Sequence, residues 1–279
     1  MAIQIITDST CDISPEKLNK LGVWMAPLKV IFNGKEYVDK KDLTTKEFYE
    51  KMKNEKKLPT TSQVNPDEFY KLFKRALDSG DKVIGIFISS ELSGTYQSAV
   101  IAKEMLNSKD IFLIDSRMVS FGLGLLILDL CDYIRRDEDI ESILEKINFK
   151  IQNIKLYGVL DTLDNLKKGG RLSKTSAIIG GMLKLKPIIN VKNGIVEAVH
   201  KSRGKNKGYK WIIDKMESEI GKNKIKRISI AHGNDLVALN NFKLKIMEKF
   251  EVEEIFEAEI GSVVGTHAGE GAIGVSYII

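Results

Sequence analysis

Short apolar runs and longer stretches with 3.6-residue periodicity alternate along the first half of this chain, each closed by a polar cluster. Residues 3–6 are apolar and end in Thr7-Asp8-Ser9-Thr10. Ser14-Pro15 then supplies an N-cap with proline at the first helical position. Residues 23–32 read as extended, followed by the tight-turn pair Asn33-Gly34. Thr44 and Glu47 have capping-box spacing and predict a helix through residue 53. Asn65-Pro66-Asp67-Glu68 repeats the start signal, and Phe69, Leu72, Phe73 and Leu77 then fall at helical spacing. Strands at 83–88 and 111–114, with helices at 96–106 and about 119–136, extend the alternation. This pattern predicts βαβ units, a parallel sheet layered between helices, and ligand binding beyond the carboxyl ends of its strands. Residues 7–10, 89–95 and 115–116 all lie at such ends.

The second half reads differently. A strand at 155–160 is followed by a short helix at 163–168, stopped by Gly169-Gly170. Residues 187–191 and 195–200 flank Asn193-Gly194, the signature of a hairpin with a type I′ turn. A helix at about 206–220, a strand at 227–231, a helix at 236–250 and two further strand-like runs finish the chain. A hairpin implies a mixed sheet. The predicted organisation is α/β in two domains: 1–155, a parallel-sheet three-layer domain, and 156–279, a mixed-sheet α/β domain.

Composition narrows the function classes. The 279 residues are 43% hydrophobic and 29% charged, as in an ordinary soluble globular protein. The net charge of +5 is spread along the chain, so no nucleic-acid partner is demanded. Two cysteines, Cys11 and Cys131, rule out a disulfide framework and a four-cysteine zinc site, and no metal site is expected. The longest apolar stretch, 121–128, stops at Asp129, well short of the roughly 20 residues that span a bilayer. The N-terminus lacks the basic and apolar regions of a secretory signal, which points to a cytoplasmic protein.

Gly269-Glu270-Gly271-Ala272-Ile273-Gly274 fits G-x-G-x-x-G, but a strand follows it where a dinucleotide site needs a helix, so that reading is rejected. The chain has no P-loop and no G-x-S-x-G nucleophile elbow. His200 and His232 read as structural. His267 lies in the glycine-dense Gly265-Thr266-His267-Ala268-Gly269, where backbone approaches a ligand closely and an imidazole can donate to a carboxylate or phosphate. Thr60-Thr61-Ser62 places three hydroxyls between two helices, as a cap, a polar turn or a binding element. Ser93-Gly94-Thr95 before a helix offers a hydroxyl and backbone N–H groups to an anion, or simply a cap. Lys167-Lys168-Gly169-Gly170-Arg171 is either C-capping or a basic partner surface, and Arg203 sits in a second short basic run.

Taken in order, T-D-S-T-C-D at 7–12, P-T-T-S-Q at 59–63, S-S-E-L-S-G-T-Y-Q-S-A at 89–99, L-K-K-G-G-R-L-S at 166–173 and V-V-G-T-H-A-G at 263–269 resemble the DegV family of bacterial fatty-acid-binding proteins. The resemblance spans essentially the whole chain. It implies two α/β domains with a long-chain fatty acid such as palmitate between them, and no catalytic residue or cofactor beyond that lipid. It also implies a partner, a fatty acid kinase that converts the bound acid to an acyl phosphate for phospholipid synthesis, and transient membrane contact. By position, Thr61 and Ser62 would hold the carboxylate, with Ser93, Gly94 and Thr95 forming the adjoining turn. His267 would donate from the second domain, Arg203 would help hold the head group, and Arg171, Lys167 and Lys168 would face the kinase. Glu270 stands where the family commonly has proline, where its carboxylate either raises the His267 pKa or points to solvent.

The physical logic is consistent with that assignment. A buried carboxylate costs several kcal/mol unless hydroxyls, amides and a cationic histidine meet it. An acyl chain of about 16 carbons, at ~0.8 kcal/mol per buried CH₂, has ample transfer free energy for tight binding. Candidate tunnel residues are Gly122, Leu123, Leu126 and Ile127, together with 178–185, although plain core packing would look the same. Two other classes remain. One is a small-carbonyl-binding enzyme using His267 with Ser93; the other is a lipid-sensing regulatory protein.

Overall fold

The computed structural model describes residues 2–55, 57–173, 185–221 and 224–279. β1 (Ile3–Asp8) leads through a 3₁₀ turn at Ser9–Cys11 to α1 (Pro15–Lys20), capped by Ser14. β2 (Trp24–Ala26) runs parallel to β1 and ends at Pro27, which has no N–H for the ladder. The chain then builds a small antiparallel sheet. β3 (Lys29–Phe32) turns at Asn33-Gly34 into β4 (Lys35–Val38), and after α2 (Thr45–Asn54) the strand β5 (Thr60–Ser62) pairs on the other edge of β3. The extended segment 23–32 is therefore two strands in different sheets. The hydroxyl-rich 60–62 is an edge strand, not a polar turn, because Val30 and its neighbours supply it with a pairing partner.

The capping box of α2 forms as its spacing dictates, with the Glu47 carboxylate accepting from the Thr44 N–H at 2.8 Å and Thr44 Oγ1 accepting from the Glu47 N–H at 3.2 Å. α3 (Pro66–Asp78), β6 (Lys82–Phe87), α4 (Thr95–Leu106) and β7 (Ile111–Asp115) complete a four-stranded parallel sheet in the order β2-β1-β6-β7. α3 and α4 cover one face, where Phe69, Phe73 and Ala99 meet Ile6, Val83 and Phe87.

α5 (Phe121–Arg135) covers the other face and is apolar nearly all round, because a second sheet lies on its far side. α6 (Ile140–Asn153), which the sequence reading did not anticipate, is capped by Asp139 and precedes β8 (Ile154–Val159) and α7 (Asp164–Lys168). Then follow β9 (Lys186–Lys192), β10 (Ile195–Ser202), α8 (Lys205–Ile220), β11 (Ile225–His232), α9 (Leu236–Met247), β12 (Val252–Glu259), α10 (Ser262–Ala268) and β13 (Ile273–Ile278). The second sheet has the order β10-β9-β8-β13-β11-β12 and is mixed, with β11 and β12 parallel and its other pairs antiparallel. Asn193 and Gly194 both have positive φ, as the β9–β10 hairpin turn requires.

Five layers result. α3 and α4 pack on the parallel sheet, the sheet packs on α5, α5 packs on β8, β11 and β13, and α8 and α9 close the outside over Ile228, Ile230 and Tyr277. Asp129, which interrupts the apolar run of α5, is buried and accepts from the Arg227 guanidinium at 2.6 Å. A single core cluster therefore runs from Ile5 and Ile86 through α5 to Leu156 and Phe256. Among the described residues, no helix is long and apolar enough to cross a membrane.

One element returns. α10 follows the edge strand β12 of the second sheet but packs against α2, β3 and β5. That crossing brings its histidine to the hydroxyls of β5.

Candidate functional site

The loops at the carboxyl ends of the parallel strands do converge. Asp8 accepts from the Ile88 N–H at 2.8 Å, Ser90 Oγ donates to Asp115 at 2.6 Å, and Thr7 Oγ1 donates to the Ile86 carbonyl at 2.8 Å. Ser89 Oγ donates to the Gly194 carbonyl of the hairpin at 2.9 Å, which ties the two sheets together at this level.

Beside these loops a cavity of ≈ 330 Å³ lies between the sheets. One part of its wall is polar: Thr61, Ser62 and Gln63 from β5 and its end, Ser93 and Gly94 before α4, Arg171 after α7, and His267 on α10. The rest is mainly apolar, including Ile88, Leu92, Phe121, Leu156, Ile189 and Val196, with the hydroxyls of Thr10 and Ser120. Polar groups gathered against an otherwise apolar cavity suit an amphipathic ligand with one small anionic end.

Thr61 Oγ1 and His267 Nε2 are 3.1 Å apart, a hydrogen bond whose direction follows the imidazole tautomer. His267 Nδ1 is buried with no partner among the described residues. Gly169, the last residue of its helical turn, lies against the ring, and a Cβ there would overlap the imidazole. Burial, and secondarily the nearby Arg171 guanidinium, pushes the His267 pKa down to about 4. Burial therefore favours the neutral imidazole in the unliganded site. Glu270 is exposed and accepts from Asn234 Nδ2 at 2.8 Å, so it supports α10's exit loop and leaves the imidazole alone.

Ser93 Oγ accepts from the Thr95 N–H at 3.2 Å and shares a 2.9 Å hydrogen bond with Thr95 Oγ1. Thr95 is buried behind the turn and bonds the Val64 N–H, so it shapes the site without lining it. Gly94 is bare for a reason: a Cβ would collide with the Gln63 carboxamide, which donates to Ser98 Oγ at 2.9 Å.

Two arginine expectations exchange places. Arg171, expected on a partner surface, turns into the cavity wall because its Nε donates to the Leu92 carbonyl at 3.1 Å and its Nη1 to the Gly169 carbonyl at 2.6 Å. Arg203, expected at the head group, is exposed beyond the end of β10 and does not line the cavity. Lys167 and Lys168 are exposed on α7. The expected tunnel residues Gly122, Leu123, Leu126 and Ile127 are buried core within α5 and do not line the cavity, since that helix is packed by a sheet on each side. Residues 178–184 of the other expected tunnel segment lie outside the described residues.

Gln63 and Ser120 line the cavity although no role is expected of them from the sequence, and Thr10, in the strand end 7–10 expected to meet a ligand, lines it as well. Thr10 and Gln63 lie inside the 7–12 and 59–63 motifs, whose full extent was the available signal. The other histidines are accounted for locally: His200 stacks on Trp211 with ring centroids 5.0 Å apart, and His232 Nδ1 accepts from the Asp235 N–H at 3.1 Å. Ser93 bonds Thr95, and among the described residues no hydrogen bond joins it to His267. Among the described residues, no group of three or more His, Cys, Asp or Glu side chains is placed to hold a metal ion.

Comparison with known proteins gives matches over essentially the whole chain. The family model DegV, described as "Uncharacterised protein, DegV family", matches residues 2–279. A DegV domain-containing protein of Clostridium acetobutylicum is 39% identical over 277 residues, covering 99% of this chain and 98% of the relative. The solved structure described as "Fatty Acid Binding of a DegV family Protein from Thermus thermophilus" is 30% identical, with a TM-score of 0.94 and 100% of both chains covered. A stearic-acid-binding protein from Eubacterium ventriosum is 26% identical, with a TM-score of 0.89, covering 100% of this chain and 98% of the other.

Proposed function

The chain belongs to the DegV family, and on that footing we propose that it binds one long-chain fatty acid between two α/β units, 1–155 and 156–279. The observation that carries this reading is the cavity itself. Its wall is mostly apolar, and a polar group including Thr61, Ser62, Ser93, Arg171 and His267 is contributed by both halves of the chain. Fatty-acid binding by the Thermus thermophilus and Eubacterium ventriosum relatives supports the same assignment.

The head group sits where Thr61, Ser62, Ser93, His267 and Arg171 meet. Hydroxyls at Thr61, Ser62 and Ser93 donate to the carboxylate oxygens, and the neutral imidazole donates through one N–H. Arg171 supplies positive charge beside the head group, and its guanidinium is already held by two backbone carbonyls. Gly94 and Thr95 shape the turn beneath. The acyl chain lies against Leu156, Ile189 and Val196, where each buried CH₂ contributes ~0.8 kcal/mol.

In this reading the protein is a cytoplasmic carrier rather than an enzyme. It delivers the fatty acid to a fatty acid kinase, which forms the acyl phosphate used in phospholipid synthesis, and it exchanges lipid with membranes transiently. Lys167, Lys168 and Arg203 are exposed basic residues available to that partner. Two measurements test the proposal. Stearate should displace a fluorescent fatty acid from the purified protein with one site per chain. Acyl phosphate should then form only when the loaded protein, ATP and such a kinase are combined. Failure of the first removes the carrier reading, and failure of the second removes the kinase step alone.

A further inference from the structure

α10 is short and stands apart from the sheet it follows, yet it must hold His267 within hydrogen-bonding distance of Thr61. Its start is fixed by buried charge. Asp12, in the turn after β1, accepts from the Gly261 N–H at 2.9 Å and from Ser120 Oγ at 2.5 Å. Lys40 Nζ lies 3.5 Å from the same carboxylate. Asp39 accepts from Ser262 Oγ, the first helical residue, at 2.5 Å, and its other oxygen has no partner among the described residues. Behind them Tyr49 donates to the Ile260 carbonyl at 3.2 Å.

This cluster is an expensive way to hold a helix. Two carboxylates are buried beside a half-buried ammonium, and one carboxylate oxygen has no partner among the described residues. Asp12 and the two residues that contact it, Lys40 and Ser120, also have φ of 52°, 62° and 57°, a left-handed backbone that non-glycine residues adopt at a cost. Apolar side chains of similar volume would hold two elements together at least as well. What they lack is direction. A carboxylate aimed at one backbone N–H and another aimed at one hydroxyl fix both the position and the rotation of the helix start. Rotation matters here, because His267 is carried on the same helix as Ser262, five residues on.

We propose that Asp12, Asp39 and Lys40 form a buried anchor that sets the register and rotation of α10 and so positions His267 against Thr61 and the ligand head group. They are positioning residues and do not touch the ligand. The same turn carries Thr10 into the cavity wall, so the anchor and the site are built on one piece of backbone. The role in ligand binding rests on the fatty-acid reading above; the positioning of the imidazole does not.

The test reads the imidazole directly in ligand-free protein. The chain has three histidines, so each ring can be assigned by single His→Gln variants and titrated by NMR. In the parent protein His267 should titrate near 4. In Asp39→Asn, Asp12→Asn and Ser262→Ala the ring should lose its buried setting, and its pKa should climb by roughly one unit or more towards the ordinary value. Stearate affinity should fall roughly tenfold or more in the same variants, a loss comparable to breaking a buried charged hydrogen bond. If Asp12→Asn fails to fold, Ser262→Ala, which removes one hydroxyl, decides. A folded Ser262→Ala and Asp39→Asn pair with unmoved His267 titration and unchanged stearate affinity would show the cluster to be a stability element only and overturn the proposal. If the parent protein binds no fatty acid, the carrier reading fails, while the titration still reports whether the anchor positions the ring.

Discussion

Thr61 on β5 and His267 on α10 share a 3.1 Å hydrogen bond across 206 positions of sequence. Neither element packs in its own sheet's core, and the bond exists because α10 crosses back over the first half of the chain. Thr61→Val keeps the shape and removes the hydroxyl; His267→Gln keeps a donor but not the ring. Each should weaken fatty-acid binding by about 1–2 kcal/mol, roughly 5- to 30-fold, with little change in thermal midpoint. Titration with a displaceable fluorescent fatty acid checks this, and the double variant should lose less than the sum of the two.

Gly169 has an ordinary helical backbone, so alanine is conformationally acceptable there, yet the added methyl would meet the His267 ring. Gly169→Ala should therefore weaken binding by pushing the imidazole off Thr61. In a His267→Ala background the same substitution should be nearly silent. That dependence on the ring, read from affinities in the two backgrounds, separates a clash with the imidazole from a general effect on α7.

The pH dependence has opposing parts. His267 is depressed from 6.5 to about 4, so between those values the unfolded chain binds more protons, and this group makes stability rise with pH across that window. Asp8 and Asp12 are raised from 3.8 to about 6, chiefly by burial, so the folded protein holds protons the unfolded chain has released. Stability from those two falls as pH rises from about 4 to about 6. Relative to the His267→Gln variant, which lacks the imidazole, the parent protein should gain stability as pH rises between about 4 and 6.5. Urea midpoints of the two proteins, compared across that window, check it.

Local signals were legible in the sequence. Ser14-Pro15, the Thr44–Glu47 box, Asn65-Pro66 and the Asn193-Gly194 turn each act within a few residues, and each element starts or turns where they stand. What escaped depends on partners far away in sequence. β5 is three residues long, too short to show a two-residue period, and is a strand only because β3 lies beside it. The apolar wall of α5 resembles a tunnel lining until the second sheet is in place, and then it is core. The ionisation of His267 was judged against Glu270, its neighbour in sequence, whereas Arg171 is its neighbour in space. Arg171 and Arg203 look alike in sequence, and backbone carbonyls at Leu92 and Gly169 draw only the first into the cavity.

Gly158 on β8 lines the cavity, and a Cβ there would sit 3.5 Å from Ile189 Cγ1, in ordinary contact. Gly158→Leu should fold and fill part of the space an acyl chain would take. Binding should shift towards shorter fatty acids, with each lost CH₂ contact worth up to ~0.8 kcal/mol. A chain-length series of competing fatty acids measures the shift.

The most direct measurement is mass spectrometry of lipids released from the purified protein under denaturing conditions, with Thr61→Val/His267→Ala alongside. A carrier should release close to one long-chain fatty acid per chain, and the double variant far less. A parent protein that releases no fatty acid and takes up none when it is supplied would contradict the central claim.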